Sequence, residues 1–129
     1  MSEGTTNIEL QAIVDKLGIP NFKGIFCKDE LTGEPDDTEC GIINLDNSDG
    51  SGTHWCSYYR KNKSNFYFSS FGDDPPNELV NYLGKPILTH NFCLQSFEDT
   101  NCGEWSVLFL YLMSKNIPYE NIILSMLED

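Results

Sequence analysis

Positive charge is scarce in this sequence. Eight lysines and arginines face twenty aspartates and glutamates, a formal net charge of −12 over 129 residues. Non-specific binding to nucleic acid needs clustered Lys and Arg, so that class of function is set aside. The one basic cluster, Arg60-Lys61-Asn62-Lys63, reads as a solvated hairpin tip. Long apolar runs are also missing, and none here could span a bilayer. The start, Met1-Ser2-Glu3-Gly4, lacks the basic and apolar regions of a secretory signal. Histidine occurs only twice, at His54 and His90, and C-x-x-C does not occur. The usual zinc-site spacings are therefore absent, although His54-x-Cys56 and His90-x-x-Cys93 are close pairs. The cysteines Cys27, Cys40, Cys56, Cys93 and Cys102 are odd in number and read as free thiols in a reducing compartment.

What is present is the pattern of a single globular domain over residues 1–129. Thr6-Asn7-Ile8-Glu9 is a capping box, and Leu10, Ile13, Val14 and Leu17 follow on one helical face. Gly18 and Pro20 end that helix. Phe22 to Phe26 is a short apolar piece, and the acidic run from Lys28 to Glu39 reads as a solvated loop. Cys40 to Leu45 is a strand, Asp46 to Gly52 a Gly- and Asp-rich loop. The aromatic alternation Thr53 to Tyr59 and the run Phe66 to Phe71 form a hairpin around Arg60 to Ser64. Pro76 starts a short helix through Leu83, and Ile87 to Gln95 reads as another strand. Val107 to Met113 is apolar on every face, so its helix is expected to be buried all round. Pro118 opens a last helix carrying Ile122, Ile123, Met126 and Leu127. The order predicts an α+β fold: a mixed or mostly antiparallel sheet packed on a central buried helix.

The chemistry concentrates in Leu94 to Trp105. Cys102 stands where a polar loop meets the apolar helix. A helix N-terminus exposes unpaired N–H groups and partial positive charge, so a thiol there is expected to ionise more easily. Thr100 or Asn101 offers the cap. The Gln95 amide, seven residues upstream, and the Cys102 backbone N–H could form an oxyanion hole. His54 could take the thiol proton and leave a thiolate–imidazolium pair. Trp55, beside it, could lie over the imidazole as a lid. The plainer readings stay open: a buried free thiol with a hydrogen-bonded histidine, a zinc-structured interaction module, or an aromatic recognition face on the hairpin.

The ordered residues match a family. His54-Trp55, Phe68-Ser69-Ser70-Phe71-Gly72, Asp74-Pro75-Pro76, Gln95 and Cys102-Gly103 resemble the motifs of adenain-like cysteine proteases, from Leu10 to about Leu112. The motif style is similar to the maturation proteases of adenoviruses, virophages and Polinton-type elements. The resemblance implies an adenain-like fold with His54 as general base, Cys102 as nucleophile and Gln95 in the oxyanion hole. It implies hydrolysis of viral capsid and core precursors beside small, Gly-type residues, in the virion and the virus factory of the host cytoplasm. SUMO- and ubiquitin-like-processing proteases share the same fold and residue order. Where the family has Asp or Glu, this chain has Ser69. Ser69 takes the third position as an orienter that would accept the His54 Nδ1–H, with Asp73, Asp74 or water as substitutes for the missing charge. A binding protein that keeps the fold without activity is the remaining alternative. The family's activators are a disulfide-linked viral peptide and DNA. Gly84 stands where the linking cysteine would be, and the charge is strongly acidic. Activity is therefore expected from a monomer without cofactor or metal.

Overall fold

The computed structural model describes residues 6–45, 54–91 and 102–127. Helix α1 spans Asn7–Leu17. Its capping box is closed: Glu9 N donates to Thr6 Oγ1 at 3.2 Å, and Thr6 N to Glu9 Oε1 at 2.8 Å. Gly18 ends it at φ 65°, the left-handed conformation that glycine tolerates best. Strand β1 (Phe22–Cys27) follows, then one 3₁₀ turn (Lys28–Glu30) and strand β2 (Glu39–Asn44). Strands β3 (Trp55–Lys61) and β4 (Ser64–Phe68) form the hairpin. Its tip, Asn62-Lys63, has φ of 48° and 72°, as a tight two-residue connection requires. Helix α2 (Asn77–Leu83), strand β5 (Ile87–Leu88), helix α3 (Cys102–Ser114) and helix α4 (Tyr119–Leu127) complete the described elements.

The five strands form one mixed sheet in the order β1-β2-β3-β4-β5. The outer pairs β1/β2 and β4/β5 are parallel, and the inner pairs are antiparallel. The fold is α+β, as the element pattern predicts. Successive strand residues face opposite sides. Ile42 and Phe68 therefore join α1, α3 and α4 residues Leu10, Val14, Phe109, Leu110 and Ile122 in one core. Ile43, Cys56, Tyr58 and Tyr67 pack with Leu79 and Leu83 of α2 on the other face. Each fully buried aliphatic side chain contributes on the order of 2 kcal/mol, so both faces are needed. No helix among the described residues is long and apolar enough to cross a membrane.

Four expectations change. Leu108 of α3 is 41% exposed, so that helix is not covered all round. Its apolar composition exceeds the sheet width available to bury it. Glu39 is not solvated but 1% exposed, starting β2 rather than closing a loop. Strand β4 stops at Phe68 and leaves Ser69 to Phe71 beyond the ladder. Strand β5 is only two residues long: Thr89 to Asn91 are not strand, and the part of the expected run from residue 92 on lies outside the described residues.

Candidate active site

Strand β3 and helix α3 bring His54 and Cys102 together. His54 directly precedes β3, and Cys102 is the first residue of α3. The Trp55 backbone N–H donates to Cys102 Sγ at 3.4 Å. The sulfur thus lies against the peptide unit that joins His54 to Trp55. Gly103 allows this close approach: a Cβ there would sit 2.8 Å from Leu10 Cδ2 and 3.3 Å from Trp55 Cδ1. The glycine after the cysteine lets α3 nest between α1 and the start of β3.

His54 is buried, and its ring is held on two sides. Phe71 stacks on it, with centroids 4.3 Å apart and planes 7° from parallel. Ser69 Oγ lies 3.1 Å from Nε2. The end of the β3/β4 ladder and the turn that follows it, closed by Gly72 N donating to Ser69 O at 2.9 Å, bring both residues to the ring. Ser57 pairs with Phe68 as the last position of that ladder, so the chain beyond Phe68 starts beside the residues that precede Ser57. Two readings are corrected here. The ring stacked on the imidazole is Phe71, whereas the Trp55 indole packs with the core on the helix side of the sheet. Ser69 meets Nε2 rather than Nδ1, because the turn after Phe68 brings its hydroxyl to the far edge of the ring.

The other ring nitrogen, Nδ1, is buried and has no hydrogen-bond partner among the described residues. Ser69 Oγ also accepts the Phe71 N–H at 3.3 Å, which fixes the hydroxyl. A proton on Nε2 directed at Ser69 leaves the Nδ1 lone pair bare. The Ser69 hydroxyl reaches the Cys56 sulfur, a fully buried thiol whose pKa burial pushes up to about 12. The Tyr67 hydroxyl lies against that same thiol, without a hydrogen bond of good geometry.

The electrostatics favour neutral groups. Burial lowers the His54 pKa, and the Asp73 carboxylate opposes that only by its charge. Burial raises the Cys102 thiol, against the backbone N–H groups of Trp55, Cys102 and Gly103. Taken group by group, desolvation outweighs the backbone N–H groups at the sulfur and the Asp73 charge at the ring. Asp74 instead lines a cavity with Leu88, Tyr119 and Ile123. Gln95 and Cys93 lie outside the described residues. His90 is buried, with its ring 5.4 Å from that of Phe68. Among the described residues, no group of three or more His, Cys, Asp or Glu could hold a metal ion.

Two residues of the site carry no motif. Ser57 Oγ donates to Ser106 O, and Ser106 Oγ donates to Trp55 O, both at 3.1 Å. The sequence signal was a serine among the large side chains of each of two core-forming stretches.

No family model and no curated protein matches the chain. Among solved structures, the crystal structure of the ASFV pS273R protease aligns with a TM-score of 0.55 and 23% identity, over 70% of this chain and 39% of that one. The chain thus spans well under half the length of that protein. At this identity the likeness establishes a shared fold.

Proposed function

We propose that this chain is a cysteine endopeptidase, with Cys102 as nucleophile and His54 as its base. The observation that carries this reading is the contact of Cys102 Sγ with the Trp55 N–H at 3.4 Å, one residue along the backbone from the buried His54. His54 Nδ1, buried and without a hydrogen-bond partner among the described residues, keeps a lone pair that could accept the thiol proton. The shared fold with a viral protease supports the same reading.

The pair rests neutral and is activated by reaction. Cys102 Sγ bonds to the scissile carbonyl carbon as its proton passes to His54 Nδ1. The carbonyl electrons move onto oxygen, where the Cys102 N–H and the Gln95 amide would stabilise them. The C–N bond then breaks, and the His54 imidazolium gives its proton to the departing amine. A water activated by the neutral imidazole hydrolyses the thioester and frees the thiol. Ser69 orients the ring through Nε2 without adding charge, and Asp73 supplies a distant negative charge. Substrates are precursors of viral capsid and core proteins, cut at small, Gly-type residues.

The test is cleavage of a proteome-derived peptide library, with new termini read by mass spectrometry. The full chain should generate termini beside small residues, and Cys102→Ala should generate none. Equal patterns from both chains would remove the peptidase reading. Cleavage confined to the C-termini of ubiquitin-like fusions would reassign the substrate class and keep the mechanism.

A further inference from the structure

The early end of β4 opens a gap that α3 fills. On β3, Ser57, Tyr59 and Lys61 pair with β4 at Phe68, Phe66 and Ser64. Trp55 is the next position of that ladder, but β4 has already turned away at Ser69. The His54 carbonyl accepts from Leu45 N on the β2 side at 3.0 Å. Backbone groups alternate in direction along a strand, so the Trp55 N–H and C=O face the vacated side. Helix α3 satisfies both. Cys102 Sγ takes the N–H at 3.4 Å, and Ser106 Oγ donates to the C=O at 3.1 Å. Cys102 and Ser106 are one helical turn apart and share a face. Ser57 returns the contact by donating to Ser106 O at 3.1 Å. Both serines are 0% exposed.

We infer that Ser57 and Ser106 are positioning residues, a reciprocal clasp that holds Cys102 Sγ in register with His54. The inference rests on the peptidase reading. A serine inside a helix usually bonds its own preceding turn, here the Cys102 carbonyl. Ser106 instead reaches across to the strand. Apolar packing tolerates small slides of a helix on a sheet, whereas paired hydrogen bonds at 3.1 Å do not. A displacement of about 1 Å between nucleophile and base costs on the order of a hundredfold in rate. The clasp is the described contact that opposes such a slide within a turn of the sulfur.

The test measures coupling. Alkylation of Cys102 by iodoacetamide is followed by peptide mass spectrometry in four full-length chains: the parent, His54→Ala, Ser57→Ala/Ser106→Ala and the triple variant. In the parent, His54→Ala should slow alkylation by about tenfold or more. In the clasp background, removing His54 should change the rate by less than about twofold. A helix-packing role alone would lower the urea midpoint and leave the full His54 dependence in place. That result would overturn the clasp and spare the peptidase reading. No His54 dependence in the parent chain would overturn both. If the double variant does not fold, Ser57→Ala against Ser57→Thr decides the same question. Loss of His54 dependence with alanine and its retention with threonine, which keeps the hydroxyl, supports the clasp. Equal dependence in both overturns it.

Discussion

Two buried polar clusters lie toward opposite ends of β3, and they are built on different accounting. At the far end, Glu39 is as buried as any apolar core residue. Its Oε2 accepts the Tyr58 hydroxyl at 2.6 Å and the Tyr82 hydroxyl at 2.8 Å, and Oε1 accepts the Asp36 N–H at 2.7 Å. Gly41 leaves the space in which the Tyr58 ring lies, since a Cβ there would meet Tyr58 Cε1 at 2.8 Å. Both carboxyl oxygens are engaged. At the near end, His54 has one nitrogen engaged and one left bare. A satisfied network specifies structure, and an unsatisfied atom keeps a free lone pair for chemistry. The two clusters teach that burial alone does not mark a site; an unmade hydrogen bond does so only where a nucleophile lies close in the fold, since the Tyr67 hydroxyl is also buried without one.

The largest expected effects separate the two ends. His54→Ala should lower peptide hydrolysis about a thousandfold, roughly 4 kcal/mol of activation free energy, with little change in the urea midpoint. Glu39→Ala should do the reverse. It strands two tyrosine hydroxyls and one backbone N–H, so unfolding free energy should fall by about 3 kcal/mol. The hydrolysis rate of the folded fraction should stay within about twofold. A rate loss of a hundredfold in Glu39→Ala, measured where the chain is fully folded, would mean that the ends are coupled and the comparison fails.

A smaller effect sharpens what Ser69 contributes. It holds the ring at 3.1 Å but carries no charge. Ser69→Ala should slow hydrolysis about tenfold, near 1.4 kcal/mol. A loss beyond about a hundredfold would make Ser69 more than an orienter. Ser69→Asp should raise the His54 pKa, because a carboxylate at that position stabilises the imidazolium. An NMR titration of His54 reads that shift directly, and a downward shift would reject this account of the third position.

Much of this arrangement was legible in the sequence, because local rules decide it. The capping box at Thr6 and Glu9, the alternation of β3 and the apolar run of α3 depend on neighbours a few residues away. That the segments carrying Cys102 and His54 meet was legible from their residue types and positions. Glu39 was not, because its partners Tyr58 and Tyr82 lie 19 and 43 residues along the chain. Nor was the Ser57–Ser106 clasp, whose members are 49 residues apart. The ring nitrogen that meets Ser69 depends on where β4 ends, and Phe66 to Phe71 reads as continuous strand. The desolvation of His54 and Cys102 was not legible either, because helix position is visible in a sequence, whereas desolvation follows from packing.

The smallest effect follows from that desolvation. The His54 pKa is lowered on folding, so the unfolded chain binds more protons between the folded value and about 6.5. This part of the stability is complete above about 6.5 and is lost as pH falls through the folded value. The thiols behave in the opposite sense. Cys40 and Cys56 are pushed up to about 12, and Cys102 is raised above its ordinary value of 9.0. Their contribution is complete below about pH 9 and is lost as pH rises toward 12. Urea midpoints across this range should fall at both ends, and His54→Ala should flatten only the acid side. The ultraviolet absorbance of the Cys102 thiolate, read as the difference from Cys102→Ala, should climb steadily with pH, without the plateau below neutrality that a resting ion pair would give. Such a plateau, abolished by His54→Ala, would restore the ion pair. It would also mean that the described burial of this end of β3 does not persist in solution, while the Glu39 end, with its hydrogen bonds made, would be unaffected.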